Sequence, residues 1–212
     1  MTFKLILSAI NEDLYQAFKK WFEGFPNVEV VFKPFEQMEF DCVVSAANSF
    51  GLMDGGVDQC ITDYFGVQMM KRVQQEIIEN FYGEQPVGTS IIVRGNQEVK
   101  FQGGAIVKNK YVAHTPTMRI PMDIGKTTNP YSAMKAMLIA VETHNANIDY
   151  NVDSKIDVVV CPGLGTNAGR VPAEVAAIQM STALFHFLNP PKVIDWYYAS
   201  QRHNEISGGH LN

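Results

Sequence analysis

DCVVSAANSFGLMDGGVD, residues 41–58, begins as a short, continuously apolar strand from Asp41 to Ala46 and passes into a glycine-bearing turn. A strand without polar alternation is the pattern of a sheet covered on both faces. A second strand of this kind, Asp157 to Cys161 (DVVVC), runs into PGLGTNAGRVP, residues 162–172. Each loop leaves a strand and enters a helix. Ligands of open α/β sheets bind beyond the carboxyl ends of the strands. Glycine lets backbone N–H groups approach a ligand closely, and helix N-termini add partial positive charge, so such loops suit phosphate. One glycine loop is weak evidence, but two in matched settings carry more.

Outward from these loops, strands and helices alternate. Phe3 to Ala9 reads as a strand, and Asn11 or Asp13 can cap a helix with Leu14, Phe18, Trp21 and Phe22 at helical spacing. Gly24 ends that helix, and Val28 to Phe32 is a second strand. After the first glycine loop, helices run to about Asn80. Gly88 to Val93 is a strand, and Ala105 to Val107 with Tyr111 to Thr115 forms another, bent or paired through 108–110. A long loop from Pro116 to Pro130 has the length of a lid. Tyr131 to Asn145 and Pro172 to Leu188 read as helices. Val193 to Tyr198 is a candidate strand before a polar tail from about residue 200. The alternation makes the class α/β. With no repeat or linker, the 212 residues form one domain with a core over about 28–188.

Composition narrows the function. Hydrophobic residues make up 46% and charged residues 18%, which is globular composition. The net charge of −5 and scattered basic residues argue against general nucleic-acid binding, which needs clustered Lys and Arg. Lys19-Lys20 and Lys71-Arg72 read as solvated helix faces. Cys42, Cys60 and Cys161 form no CxxC pair, so neither a metal site nor a cofactor is expected. Their odd number and apolar settings suggest reduced thiols and a cytoplasmic location. No apolar run reaches membrane-span length, and the N-terminal apolar stretch gives way at once to Asn11, Glu12 and Asp13, as a first strand would.

The turn Ser45-Ala46-Ala47-Asn48, with Gly55-Gly56-Val57-Asp58 at a spacing that matches without gaps, resembles the first signature of macro domains. Residues 162–172 are similar to the family's second signature. The likeness spans about Val28 to Leu188, and Thr115-Pro116-Thr117-Met118-Arg119 resembles a divergent bacterial and phage branch. The resemblance implies a three-layer α/β/α fold with a mixed central sheet. It further implies a cleft for ADP-ribose, or a related ribose-diphosphate, free or on an ADP-ribosylated macromolecule. Asn48 would bond the distal ribose, and Ala47, Gly55, Gly56 and Val57 would lie against ribose and phosphate. Asp58 would orient or activate water near the anomeric carbon. Gly163, Gly165, Thr166, Asn167, Ala168 and Gly169 would wrap the diphosphate. Arg119 and Arg170 flank these loops and suit phosphate contact. Asp41 fits the head of the strand.

Each assignment has a plainer alternative. Asn48 can be a turn residue, and Asp58 a helix-start acid favoured by the dipole. Asp41 can simply close its strand. His114 reads as a core or rim histidine, and Cys161 as a packed thiol. The pattern also departs from the family. Phe32-Lys33-Pro34-Phe35-Glu36 lacks the acid that reads the adenine amine, with Glu36 a shifted substitute. Gly169 stands where an aromatic would cover the distal ribose, and Asp54 puts an acid into the glycine cluster. Three functions therefore compete: hydrolysis of ADP-ribosyl linkages, non-catalytic reading of ADP-ribose or an NAD-derived metabolite, and assembly on a fold that has lost its ligand.

Overall fold

A computed structural model describes residues 1–95, 109–149 and 153–207. Six strands form one sheet in the order β2-β1-β6-β3-β5-β4. They are β1 (Lys4–Ser8), β2 (Val28–Val31), β3 (Cys42–Asn48), β4 (Ile91–Arg94), β5 (Tyr111–Met118) and β6 (Val158–Cys161). All pairings are parallel except that of β4 with β5, so the sheet is mixed. The helices are α1 (Glu12–Trp21), α2 (Gly56–Phe65), α3 (Gln68–Phe81), α4 (Asn129–Ala146), α5 (Ala173–Leu188) and α6 (Trp196–Ser207).

Strand alternation sorts side chains into two cores. Cys42 and Val44 of β3 join Leu14 and Phe18 of α1, Met134 and Leu138 of α4, and Met180 and Leu184 of α5. Val43 of the same strand joins Ile61 of α2 and Met69, Val73 and Ile77 of α3. The result is the expected three-layer α/β/α arrangement. The two most apolar strands, β3 and β6, lie side by side at the centre, with Cys42 opposite Val159 and Val43 opposite Val160. Their C-terminal loops therefore emerge together. Asn11 starts α1, its side chain accepting a hydrogen bond from Leu14 N at 3.0 Å.

Three expectations change. The strand expected at Val193 to Tyr198 is absent: 193–195 form an irregular lead-in, and Trp196 to Tyr198 begin α6. Asp195 accepts from Tyr198 N at 2.8 Å, which is an N-terminal cap, and Pro190-Pro191 precede it. The loop expected over 116–130 is shorter, because β5 continues through Pro116 to Met118 and α4 begins at Asn129. Ile124 of that loop donates to Gly169 O at 2.9 Å and packs with Met118, Val171 and Ala176, so in this conformation the loop is fastened to its neighbour. The strand expected at Gly88 begins only at Ile91. The pairing expected at Ala105 to Val107 lies outside the described residues. No described helix is long and apolar enough to cross a membrane.

Candidate functional site

A cavity of about 720 Å³ opens at the C-terminal ends of the central strands. The first loop contributes Ala47, Asn48, Gly55, Gly56, Val57 and Asp58, and the second Gly163, Gly165, Thr166, Asn167, Ala168 and Gly169. The two loops touch: a Cβ on Gly56, whose φ is +56°, would come within 3.1 Å of Asn167 Nδ2. A Cβ on Gly169 would collide with the Gly165 carbonyl and lie 2.7 Å from Ile124 Cγ1. Ile124 thus packs against Gly169, the position at which the family pattern has an aromatic.

Both loops leave backbone donors for an anion. No side chain caps the N-terminus of α2, so the N–H groups of its first turn face outward with the positive end of the helix dipole. The second loop closes on itself through Arg170 N to Asn167 O at 2.9 Å and Val171 N to Gly165 O at 3.1 Å. The N–H groups from 165 to 169 take part in neither bond.

Asn48 holds the first loop in shape. Its Nδ2 donates to Leu52 O at 2.8 Å, and its Oδ1 accepts from Phe50 N at 3.0 Å and Leu52 N at 3.3 Å. The turn role is therefore present in this conformation. Asp58 is buried on α2, and its Oδ1 accepts from Ser45 Oγ at 2.6 Å. Burial pushes its carboxyl up to about 6; the Ser45 bond opposes the shift and nearby Asp54 adds to it. Asp54 also lines the cavity.

Three candidates stand outside the cavity lining. Asp41 lies at the head of β3, about 20 Å along the strand from Asn48. Its Oδ2 accepts from Asp157 N at 2.8 Å and Val158 N at 2.9 Å, tying β3 to β6. Arg119 is exposed, and its guanidinium bonds Glu84 through Nε at 2.6 Å and Nη2 at 3.0 Å, 5.7 Å from the Phe50 ring. The Arg119 carbonyl accepts from Ser49 N at 3.1 Å. Arg170 is exposed, with a left-handed φ of +53°.

The structure adds Ile10, Asn11 and Leu14, which reach the cavity from the β1–α1 connection and the first turn of α1, and it brings Pro34, Phe35 and Glu36, the segment where the family pattern has the adenine-reading acid, to the cavity from the turn after β2. Glu36 does lie at the cavity, beside Cys60. Leu52 and Pro121 line it from the two loops nearest Asn48. Among the described residues, no group of three or more His, Cys, Asp or Glu is placed to hold a metal. His114 is fully buried, with Nδ1 2.7 Å from Gln85 Oε1. Cys161 is fully buried and its thiol is pushed well above the ordinary range, as befits a packed thiol.

Known proteins share this architecture. The chain is similar to the macrodomain of Mycobacterium tuberculosis DarG, with a TM-score of 0.55 and 14% identity over 86% of this chain and 91% of that one. A variant of the Oceanobacillus iheyensis macrodomain, solved with ADPR, gives a TM-score of 0.53 at 19% identity over 82% and 88% of the two chains. That macrodomain solved with ADP gives 0.53 at 22% identity over 74% and 75%. An uncharacterized protein of Aquifex aeolicus is 29% identical over 169 residues, covering 80% of this chain and 86% of its own. The model of the Macro domain family matches residues 44–180, from inside β3 to the middle of α5 and so across both glycine loops. The match takes in more than half of the chain, which belongs to the macro domain family.

Proposed function

We propose that this protein binds ADP-ribose, free or attached to a macromolecule, and hydrolyses the ADP-ribosyl linkage. The observation that carries the proposal is the meeting of two donor-rich glycine loops and one buried carboxylate in a single cavity. The volume suits a nucleotide-sized ligand. The diphosphate would lie against the N–H groups of 165–169 and the first turn of α2. Backbone donors stabilise such an anion without a counter-ion. The base would lie toward Pro34, Phe35 and Glu36, where the Glu36 carboxylate can accept from an amino group. The Oceanobacillus relative solved with ADPR supports the same ligand class.

In the hydrolytic reading, Asp58 stands beside the anomeric carbon. Water attacks that carbon as the glycosidic bond breaks, and the carboxylate takes the water proton or steadies the developing positive charge. A carboxyl that titrates at about 6 is suited to exchanging a proton near neutrality. The free, buried Cys42 and Cys161 fit a reducing, cytoplasmic setting.

One observation favours a non-catalytic reader instead. The side chains of Asn48 and Asp58 are both engaged inside the protein, by Leu52 and Ser45. Single-turnover release of ADP-ribose separates the readings. Hydrolysis predicts that Asp58→Ala lowers the rate by at least about 100-fold while sparing ADP-ribose affinity. Unchanged turnover removes Asp58 from the mechanism, and no release by the unmodified protein over hours leaves the reader.

A further inference from the structure

The cavity is lined by three carboxylates, those of Glu36, Asp54 and Asp58, and among the described residues no Lys, Arg or His lines it. A diphosphate brings negative charge of its own. Backbone N–H groups can hold the phosphates, but each carboxylate then needs a reason to be there. Glu36 lies at the end proposed for the base, where an amino group can satisfy it. Asp58 is buried against Ser45 Oγ and is the acid assigned to the anomeric carbon. Asp54 is left over.

Its position in the chain suggests a helix cap, and the structure rules that out. Asp54 directly precedes Gly55, the N-cap residue of α2, and no side chain caps this terminus. No basic side chain among the described residues pairs with it. Its carboxylate is exposed, so it stands at the mouth of the cavity it lines. It is also close enough to Asp58 to favour protonation of that buried acid. The backbone on either side is fixed. Met53 O accepts from Thr62 Oγ1 at 2.8 Å, and Gly56 lies against Asn167 of the second loop. Asp54 is therefore held on the same loop as Asn48 and Asp58, the residues assigned to the distal ribose, and not at the base end.

We propose that Asp54 selects ligands that carry a positive charge on the anomeric carbon of the distal ribose. Two groups supply such a charge: the guanidinium of an arginine bearing ADP-ribose, and the pyridinium of NAD⁺. ADP-ribose itself ends there in a neutral hydroxyl. An acid at this point repels the bare anionic ligand and attracts the cationic conjugate, so it discriminates through both signs of interaction. The cation also offsets the repulsion between Asp54 and Asp58. This role rests on the reading of the cavity as an ADP-ribose site, names the class of conjugate, and concerns binding rather than cleavage.

The test is calorimetric titration of the unmodified protein and of Asp54→Asn with NAD⁺, NADH, ADP-ribose and ADP-ribosyl-arginine. NAD⁺ and NADH differ in the charge of the ring on the anomeric carbon. Asp54→Asn removes the charge of an exposed side chain and leaves its size. The unmodified protein should bind NAD⁺ over NADH, or ADP-ribosyl-arginine over ADP-ribose, at least about threefold more tightly, the scale of one exposed ion pair. The preference should shrink as salt is added and disappear in Asp54→Asn. The pair that shows it identifies the source of the cation, arginine or the nicotinamide ring. ADP-ribose bound by both proteins with no preference for either cationic ligand, or a preference that survives Asp54→Asn, overturns the role of Asp54 and leaves the proposed function standing. No binding of any of the four ligands overturns both.

Discussion

Asp58 is a buried carboxylate on the wall of the cavity, and its burial costs stability. In the unfolded chain its carboxyl titrates near 3.8; in the fold it titrates at about 6. Between these values the folded protein holds more protons than the unfolded chain, so stability falls as pH rises from about 4 to about 6, then levels off. A shift of about two units corresponds to about 3 kcal/mol at neutral pH. Asp58→Asn keeps an acceptor for Ser45 and removes the buried charge. Urea unfolding should therefore show it more stable than the unmodified protein by up to about 3 kcal/mol at pH 7.5 and nearly equal at pH 4. An equal gain at both pH values would mean that the charge is not the cause. His114 works from the other side: its ring takes up a proton in the unfolded chain below 6.5 but resists doing so in the fold until about 3. Acid therefore favours unfolding through it. The sequence presented Asp58 as a candidate because it stands in register with Asn48 and the glycines. It could not present Ser45 as the partner of Asp58, because 13 positions separate them and only the fold joins them.

The two loops are legible in the sequence because their chemistry is local, set by glycine content and by the strand before and the helix after. Their support is not local. Gly169 is required by the Gly165 carbonyl and by Ile124, which arrives from the β5–α4 connection. Gly169→Ala has no room to relax, since the first atom met is backbone. It should weaken ADP-ribose binding at least about tenfold by displacing the donors of 165–169, an effect on the scale of one lost charge-assisted bond. Isothermal titration reads this directly, and unaltered affinity would place the diphosphate elsewhere. Arg119 serves as a contrast. It braces the first loop through Glu84, Phe50 and Ser49, outside the cavity lining. Its exposed ion pair is of the kind that contributes little, so Arg119→Ala should change ADP-ribose affinity by less than about fivefold. A tenfold or greater loss would bring the guanidinium to the phosphates. The shorter 119–128 loop was hidden by Pro116, which lacks a strand donor and reads as a strand end. Its own carbonyl nevertheless accepts from Gly88 N at 3.3 Å, and β5 runs past it.

For the whole molecule, alternation of strands and helices was enough to predict the α/β class, and continuous apolar runs such as DVVVC a sheet covered on both faces; the three layers came from the family resemblance. Strand order was not readable, since it depends on how crossovers stack rather than on any one segment. Ile10 and Leu14 were hidden for the same reason, because they reach the cavity from β1, on the far side of the strand order. The C-terminal segment misled because Val193, Ile194, Trp196 and Tyr197 have strand-like composition. They stand exposed instead, Val193 and Ile194 just before the capping Asp195 and Trp196 and Tyr197 in the first turn of α6. The fold assembles one cavity from connections after β1, β2, β3, β5 and β6, and the ligand we propose for it is ADP-ribose. Calorimetric titration with ADP-ribose, with ADP and AMP alongside, decides it. A cavity built for ADP-ribose should give a micromolar or tighter Kd, about −8 kcal/mol or better, with ADP weaker and AMP weakest. Absence of heat for all three nucleotides would contradict it.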